Sequence, residues 1–412
     1  MSRVYEGVRD TGDTIAKHEE ISSKVSVSEY GLSADNPDAP EVTQDPDDDI
    51  ELERESPASD DQLDITEPFN PEKIRVRTSN VLIEQLVKRI DHQEIDLAPD
   101  FQRKSGIWND QSKSRLIESL LLRIPIPVFY VAADEEENWS MVDGVQRSST
   151  IYDYAKGKFC LSKLEYLEKF NGYSHDELPR SMQRRVSETQ LVVNIIEHGT
   201  PDEVKFNIFH RINTGGKPLN GQEIRHALYP GPARKFLKDL AASEEFIEAT
   251  AGSMSSDRMN DRECILRFLA FYMEKWENYN TNDLNGFLIR TIMKINKMDG
   301  RQRNRLANEF SKAMTAAFGI FGNKAFRKIY NNNNRRLPIN KGLFEVWSVK
   351  LAKCLPEEIE VLTGNCERIQ EAFMDLLLED WDFVNAISYS TSSPVQVKKR
   401  FKVIDTLVER FL

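Results

Sequence analysis

Asp143-Gly144-Val145-Gln146-Arg147 brings a carboxylate, a glycine, an amide and a guanidinium together within one pentapeptide. The short apolar run Trp139 to Val142 precedes it, and a helical pattern follows through Ile151 and Tyr154. A strand that ends in Asp-Gly and turns straight into a helix presents backbone N–H groups at the helix N-terminus. The macrodipole places about half a positive charge there, and phosphate is the natural guest. Arg147 adds a full cation in the same turn, a placement that costs roughly 0.3–1 kcal/mol unless an anion answers it. The answer is either a bound anion or an internal carboxylate such as Asp143.

Other candidates are weaker in isolation. Thr214-Gly215-Gly216-Lys217 places a lysine where it can reach a phosphate. It is no Walker loop, because the four residues between glycines and the strand-to-helix context are missing. Arg211 and Asn213 sit at a helix C-terminus, where a basic side chain satisfies the last carbonyls and Gly215 supplies a left-handed cap. Phe326-Arg327-Lys328 with Tyr330, followed by Asn331 to Asn334 and Arg335-Arg336, has the interleaving of a nucleic-acid-contacting loop. A polar connector explains the same residues, and Lys398-Lys399-Arg400 is open to the same two readings. Asp257, Asp261 and Glu263 are acidic at helical spacing, which reads as a solvated face before it reads as a Mg²⁺ site. No Cys-His or Ser-His-Asp set stands at a spacing that supports nucleophilic catalysis.

These residues need a scaffold. Val81, Leu82, Leu86 and Val87 recur at helical spacing after a cap at Ser79 or Asn80. Ile95 and Leu97 lead into an extended segment. Asn109-Asp110 caps a helix from Ser112 to Arg123, stopped by Pro125 and Pro127. Val128 to Val131 and Trp139 to Val142 read as a hairpin, and Gln190 to Ile196 as a further strand. Pro201-Asp202 opens a helix that ends at Arg211. Asn220 caps the next one, with Glu223 completing a capping box. From about Pro232 onward the pattern is almost wholly helical.

Charge divides the chain. Of 55 basic and 67 acidic residues, residues 1–72 hold 21 Asp and Glu against 5 Lys and Arg. The remainder holds 46 acidic and 50 basic residues, a mildly basic balance of +4 within a total of −12. The acidic stretch is poor in aromatics and interrupted by proline, so residues 1–72 read as a disordered tail. The organisation expected is this tail, an α+β domain over 73–230 and a helical domain over 231–412. Cys160, Cys264, Cys354 and Cys366 form no close pair, so neither a zinc knuckle nor a disulfide framework is suggested. No apolar run approaches the roughly 18 residues of a membrane span, and the N-terminus lacks a signal-peptide core. A reduced, cytoplasmic protein is expected.

Four stretches then line up. They are Pro99-Asp100-Phe101-Gln102-Arg103 with Trp108; Ile124-Pro125-Ile126-Pro127; the Asp143–Arg147 pentapeptide; and Phe209 to Gly216 with Pro218-Leu219 and Glu223-Ile224-Arg225. In this order they resemble the N-terminal domain of GmrSD-type modification-dependent restriction systems, within the ParB/sulfiredoxin-like superfamily. The resemblance covers about residues 78–228. Asp261-Arg262 with Arg267 to Ala270, Leu284 to Leu288, and Ile339 to Glu345 resemble stand-alone members that share a helical second domain.

The resemblance implies a ParB/sulfiredoxin-like α+β fold with a small sheet. It implies a nucleoside triphosphate, with Mg²⁺, as cofactor in a pocket to which the Asp-Gly turn contributes. In that reading Asp143 fixes the turn or holds the metal, and Gln146 orients a phosphate or water. Gln102, Arg103, Gly144, Arg147, Arg211, Asn213 and Lys217 contact the nucleotide. The activity implied is that of a nucleotide-binding, NTP-hydrolysing sensor or switch in a prokaryotic or phage-encoded DNA defence system. Its implied partners are DNA and a separate nuclease or effector, with no membrane. A DNA-binding protein or nuclease using the same groove is one rival reading, and a non-catalytic nucleotide-gated adaptor is another. Two-part GmrSD-type proteins carry a His-Asn-His metal nuclease in a second domain. Here the six histidines are His18, His92, His175, His198, His210 and His226, so residues 235–412 lack the residue type that chemistry requires. Many family members have Asp-Gly-Gln-Gln-Arg, whereas Val145 stands at the first Gln. That change removes a ligand contact or, with Val145 turned into the core, alters little.

Overall fold

Two short strands and a helix–turn pattern around Asp143 are built into a five-stranded mixed sheet. The structure is a computed structural model that describes residues 52–53, 74–97, 108–212, 219–254, 256, 258–330 and 336–412. Strand β1 (Val76–Leu82) leads into α1 (Ile83–Asp91), then β2 (Ile95–Asp96) and α2 (Asp110–Leu121). The hairpin β3 (Phe129–Ala133) and β4 (Trp139–Asp143) is followed by α3 (Val145–Ala155), α4 (Arg180–Ser187) and β5 (Gln190–Ile196). The order across the sheet is β1-β5-β3-β4-β2. β1 runs antiparallel to β5, β5 parallel to β3, β3 antiparallel to β4, and β4 parallel to β2.

The helical start expected at Ser79 or Asn80 is displaced. Residues 76–82 pair in register with β5, from Val76 opposite Ile196 to Leu82 opposite Gln190, and α1 begins only at Ile83. Sheet pairing outweighs the helical spacing of Val81 and Leu86, because Val81 is buried equally well from a strand. The Leu82 N–H is then taken up by Gln85 Oε1 at 3.1 Å. At α2 the expected cap holds: Asn109 Oδ1 accepts the Ser112 N–H at 2.8 Å.

Helices follow from Asp202 onward: α5 (Asp202–Ile212), α6 (Gly221–Leu228), α7 (Pro232–Ala241), α8 (Glu244–Ala249) and α9 (Asn260–Met273). Then come α10 (Leu284–Lys297), α11 (Gly300–Phe321), α12 (Lys341–Lys353), α13 (Pro356–Gly364), α14 (Cys366–Glu379), α15 (Trp381–Ser388) and α16 (Pro394–Glu409). The architecture is thus α+β followed by all-α. The capping box read from Asn220 and Glu223 is present, with reciprocal bonds of 2.7 and 2.9 Å.

Two apolar cores lie on the sheet's two sides. One gathers Val131, Met141, Val193 and Ile195 with Leu86, Ile117, Leu120, Ile151 and Tyr154 from α1, α2 and α3. The other joins Ala132, Val142 and Ile196 to Phe206, Phe209 and Ile224, and continues without a break into α7, α9, α10, α11 and α12. A half-buried ion pair also crosses residue 230, between Arg234 and Asp96 at 2.5 Å. Of the acidic segment 1–72, Leu52 and Glu53 are described, and they are docked on the helical region rather than free. A hydrophobic and an ionic contact coincide there.

Candidate functional site

The turn after β4 requires its glycine. Gly144 has φ +103°, and a Cβ there would stand 2.4 Å from Phe129 Cδ1. Both the left-handed backbone and the close ring exclude other residues. Gly144 caps α3 with its carbonyl, which accepts the Ser148 N–H at 2.7 Å. The N–H groups of Val145, Gln146 and Arg147 meet no acceptor among the described residues.

Arg147 folds back under this turn. One guanidinium nitrogen donates to the Pro127 carbonyl. The other donates to the Val128 carbonyl at 3.2 Å and to Asp143 Oδ2 at 2.9 Å. The group also lies over the Phe129 ring, 4.4 Å from its centroid. Burial pushes the Arg147 guanidinium below its ordinary range, while Asp143 opposes that shift. The cation at the helix start is therefore answered inside the protein. Arg147 thereby joins the Ile124–Pro127 stretch to the Asp-Gly turn. The two motifs are halves of one device.

Asp143 keeps an outward aspect, with its side chain 51 % exposed against 11 % for Arg147. Gln146 Oε1 faces the Trp108 N–H at 3.4 Å, which ties the first turn of α3 to the chain entering α2. Val145 is buried in the core beside β3 and β4. A valine at this position therefore contributes to core packing.

Asp143, Gly144, Gln146 and Arg147 thus converge. Arg211 is exposed in the last turn of α5, and no hydrogen bond or ion pair joins it to the turn among the described residues. Gln102, Arg103, Asn213 and Lys217 lie outside the described residues. Among the described residues no group of three His, Cys, Asp or Glu converges as a metal site.

A second polar centre was not legible as such in the sequence. Glu263 and Glu345 are buried, not on a solvated face. Arg267 bridges them, 2.8 Å to Glu263 and 3.0 Å to Glu345. Lys341 reaches Glu263 at 3.1 Å, Arg225 lies 3.7 Å from it, and Arg400 meets Glu345 at 2.5 Å. Arg225 also donates to Asn285 Oδ1 at 2.6 Å. Burial alone would raise the Glu263 carboxyl, but Lys341, Arg267 and Arg225 overcome it and hold the group well below the usual range. The motif stretches around Arg225, Arg267, Asn285 and Glu345 therefore meet in one interior ion network. The resemblance of these stretches to stand-alone members was the available signal.

The basic, aromatic stretch before residue 331 is likewise internal. Phe326 and Arg327 are buried, and Arg327 donates to the carbonyls of Leu337 and Thr250 and to Ser253 Oγ. Arg327 is an organiser of its own loops, which removes it from the nucleic-acid reading. Residues 331–335 lie outside the described residues.

Residues 83–230 match the family described as GmrSD restriction endonuclease, N-terminal domain. This part of the chain is similar to that domain. No curated protein matches the chain.

Proposed function

We propose that the chain is a nucleotide-binding sensor in a restriction-like defence system, with the α3 N-terminus as its phosphate site. The observation that carries this reading is the first turn of α3. Three backbone N–H groups after Gly144 meet no acceptor among the described residues, on a turn fastened by Arg147, Asp143 and Phe129. Such a turn suits an anionic ligand, since donors and dipole point the same way and need no reorganisation. The exposed Asp143 carboxylate suits a Mg²⁺ ion, which characteristically takes one or two carboxylates, phosphate oxygens and water. A bound nucleoside triphosphate would supply the charge that the open N–H groups lack.

In this reading Gln146 and Asp143 line the turn, and Gln102, Arg103 and Lys217 add contacts from the flanking segments. Arg147 holds the frame. Asn220, two residues after Pro218 in the sequence, caps α6, whose Arg225 enters the ion network of the helical region. That continuity gives nucleotide occupancy a route to the helices, as a sensor requires.

Isothermal titration of the full chain with ATP, GTP and CTP in the presence of Mg²⁺ tests this. Binding of one triphosphate, weakened at least tenfold by Arg103→Ala and by Gln146→Ala in still-folded variants, is the expected result. Absence of binding to all three overturns it and directs the work to DNA-binding assays.

A further inference from the structure

Leu52 and Glu53 belong to the most acidic part of the chain, between Asp47-Asp48-Asp49 and Glu55. They are nonetheless built into the helical region. Leu52 packs against the helical core and forms a parallel bridge with Ile339, whose opposite edge bridges Arg327 in the antiparallel sense. The Glu53 N–H donates to the Ile339 carbonyl at 2.7 Å. Both carboxylate oxygens of Glu53 are engaged, one by Lys328 Nζ at 2.5 Å and the other by Asn340 Nδ2 at 2.9 Å.

The receiving residues are set independently of this segment. Asn340 caps α12 through the Leu343 N–H at 2.8 Å and donates to the Ile387 carbonyl at 2.7 Å. Lys328 also donates to Ser388 Oγ at 2.8 Å. A backbone bridge at Ile339, an apolar seat and a clamped carboxylate are, on a small scale, the parts by which extended peptides are recognised through strand addition. Both charges are largely withdrawn from solvent, with side chains 12 % and 29 % exposed, so the pair is less screened than a surface bridge.

We propose that Leu52-Glu53 is a docking motif and that Ile339, Asn340 and Lys328 are its receptor, so that the acidic segment is an intramolecular latch on the helical region. A solubilising extension needs only its charge. A latch needs this apolar-then-acidic order, and the receptor then takes extended segments of that chemistry. The inference stands apart from the nucleotide reading, since no residue is shared.

Hydrogen exchange followed by mass spectrometry on the full chain tests it. The peptide containing Glu53 is expected to exchange at least tenfold more slowly in the wild type than in Leu52→Asp or Glu53→Lys, with β5 unchanged as a control for folding. Equal rates overturn the latch. A labelled synthetic peptide of residues 47–58 is expected to bind the full-length Leu52→Asp/Glu53→Lys protein at least tenfold more tightly than the wild type, whose site is filled. Adding Lys328→Ala to that double variant is expected to abolish the binding. Equal binding to wild type and double variant, or indifference to Lys328→Ala, overturns the receptor assignment. Protection of Glu53 that rises with protein concentration overturns the intramolecular form, in favour of docking on a second copy.

Discussion

Arg147 reaches back one helical turn to Asp143 at 2.9 Å while its other guanidinium nitrogen donates to the Pro127 carbonyl. The strand that enters the turn, the helix that leaves it and the proline segment behind it are thereby fastened at one point. The prolines at 125 and 127 have no N–H to place in a sheet, and the carbonyls that follow need a donor from elsewhere. A planar fork supplies two.

Replacing that fork has consequences for folding before it has any for ligands. Arg147→Lys removes the bidentate geometry while keeping the charge, and leaves carbonyls short of donors. A loss of about 1–3 kcal/mol is expected for each buried group left unpaired, measured as a lower urea midpoint. An unchanged midpoint would return Arg147 to the ligand contacts.

Gly144→Ala meets two obstacles, a left-handed backbone and the Phe129 ring. Strain of this kind costs about 1–3 kcal/mol, and overpacking a similar amount. Phe129→Leu in the same molecule makes room for the methyl group, so the double variant should melt above the sum of the single losses. Strict additivity of the two melting shifts would show that the ring contact does not matter.

Glu345→Gln tests the interior network. Removing one partner of a buried, hydrogen-bonded ion group costs about 3–5 kcal/mol, because Arg400 loses its carboxylate and Arg267 keeps only Glu263. Circular dichroism during thermal unfolding should show a large fall in midpoint. A fall no greater than that of an exposed pair, such as Lys88 with Glu84, would reject the assignment.

Acid should unfold the protein through two carboxylates in particular. Glu118 would be raised by burial, but the N–H groups of Glu165, Leu167 and Tyr166 outweigh that and lower it. Glu263 is lowered by its cations. A folded value below the unfolded glutamate value of about 4.3 contributes stability that is fully present above that pH and is lost as pH falls through the folded value. Stability should therefore be flat from neutrality to about pH 5 and decline below it. In Glu118→Gln the decline should be shallower, from a lower plateau; an identical slope would discount this group.

Much of the fold was visible in residue patterns where one force dominates. The α2 cap at Asn109, the strand at Gln190–Ile196 and the Asn220–Glu223 box involve local hydrogen bonds or unbroken apolar runs. β1 was hidden because its partner lies more than a hundred residues away, and its few apolar side chains also satisfy a helical spacing. At the site, the Asp-Gly turn was legible from glycine and charge. Pairing of Arg147 with Asp143 was one of the two readings the residues allowed, and the fold supplies that contact. Glu263 was misplaced for a related reason: its cations come from α6, α9 and α12, and local spacing cannot announce a meeting of distant helices.

The sheet's second face bears on how such a domain can be borrowed. Ala132, Val142 and Ile196 are covered by helices whose own packing extends well past residue 230. The family match ends there, but the covering layer does not. A gene fragment encoding residues 83–230 would lack β1 on one edge and leave an oily surface on one side. On its own, such a unit would need another apolar surface to cover the outer sides of α5 and α6.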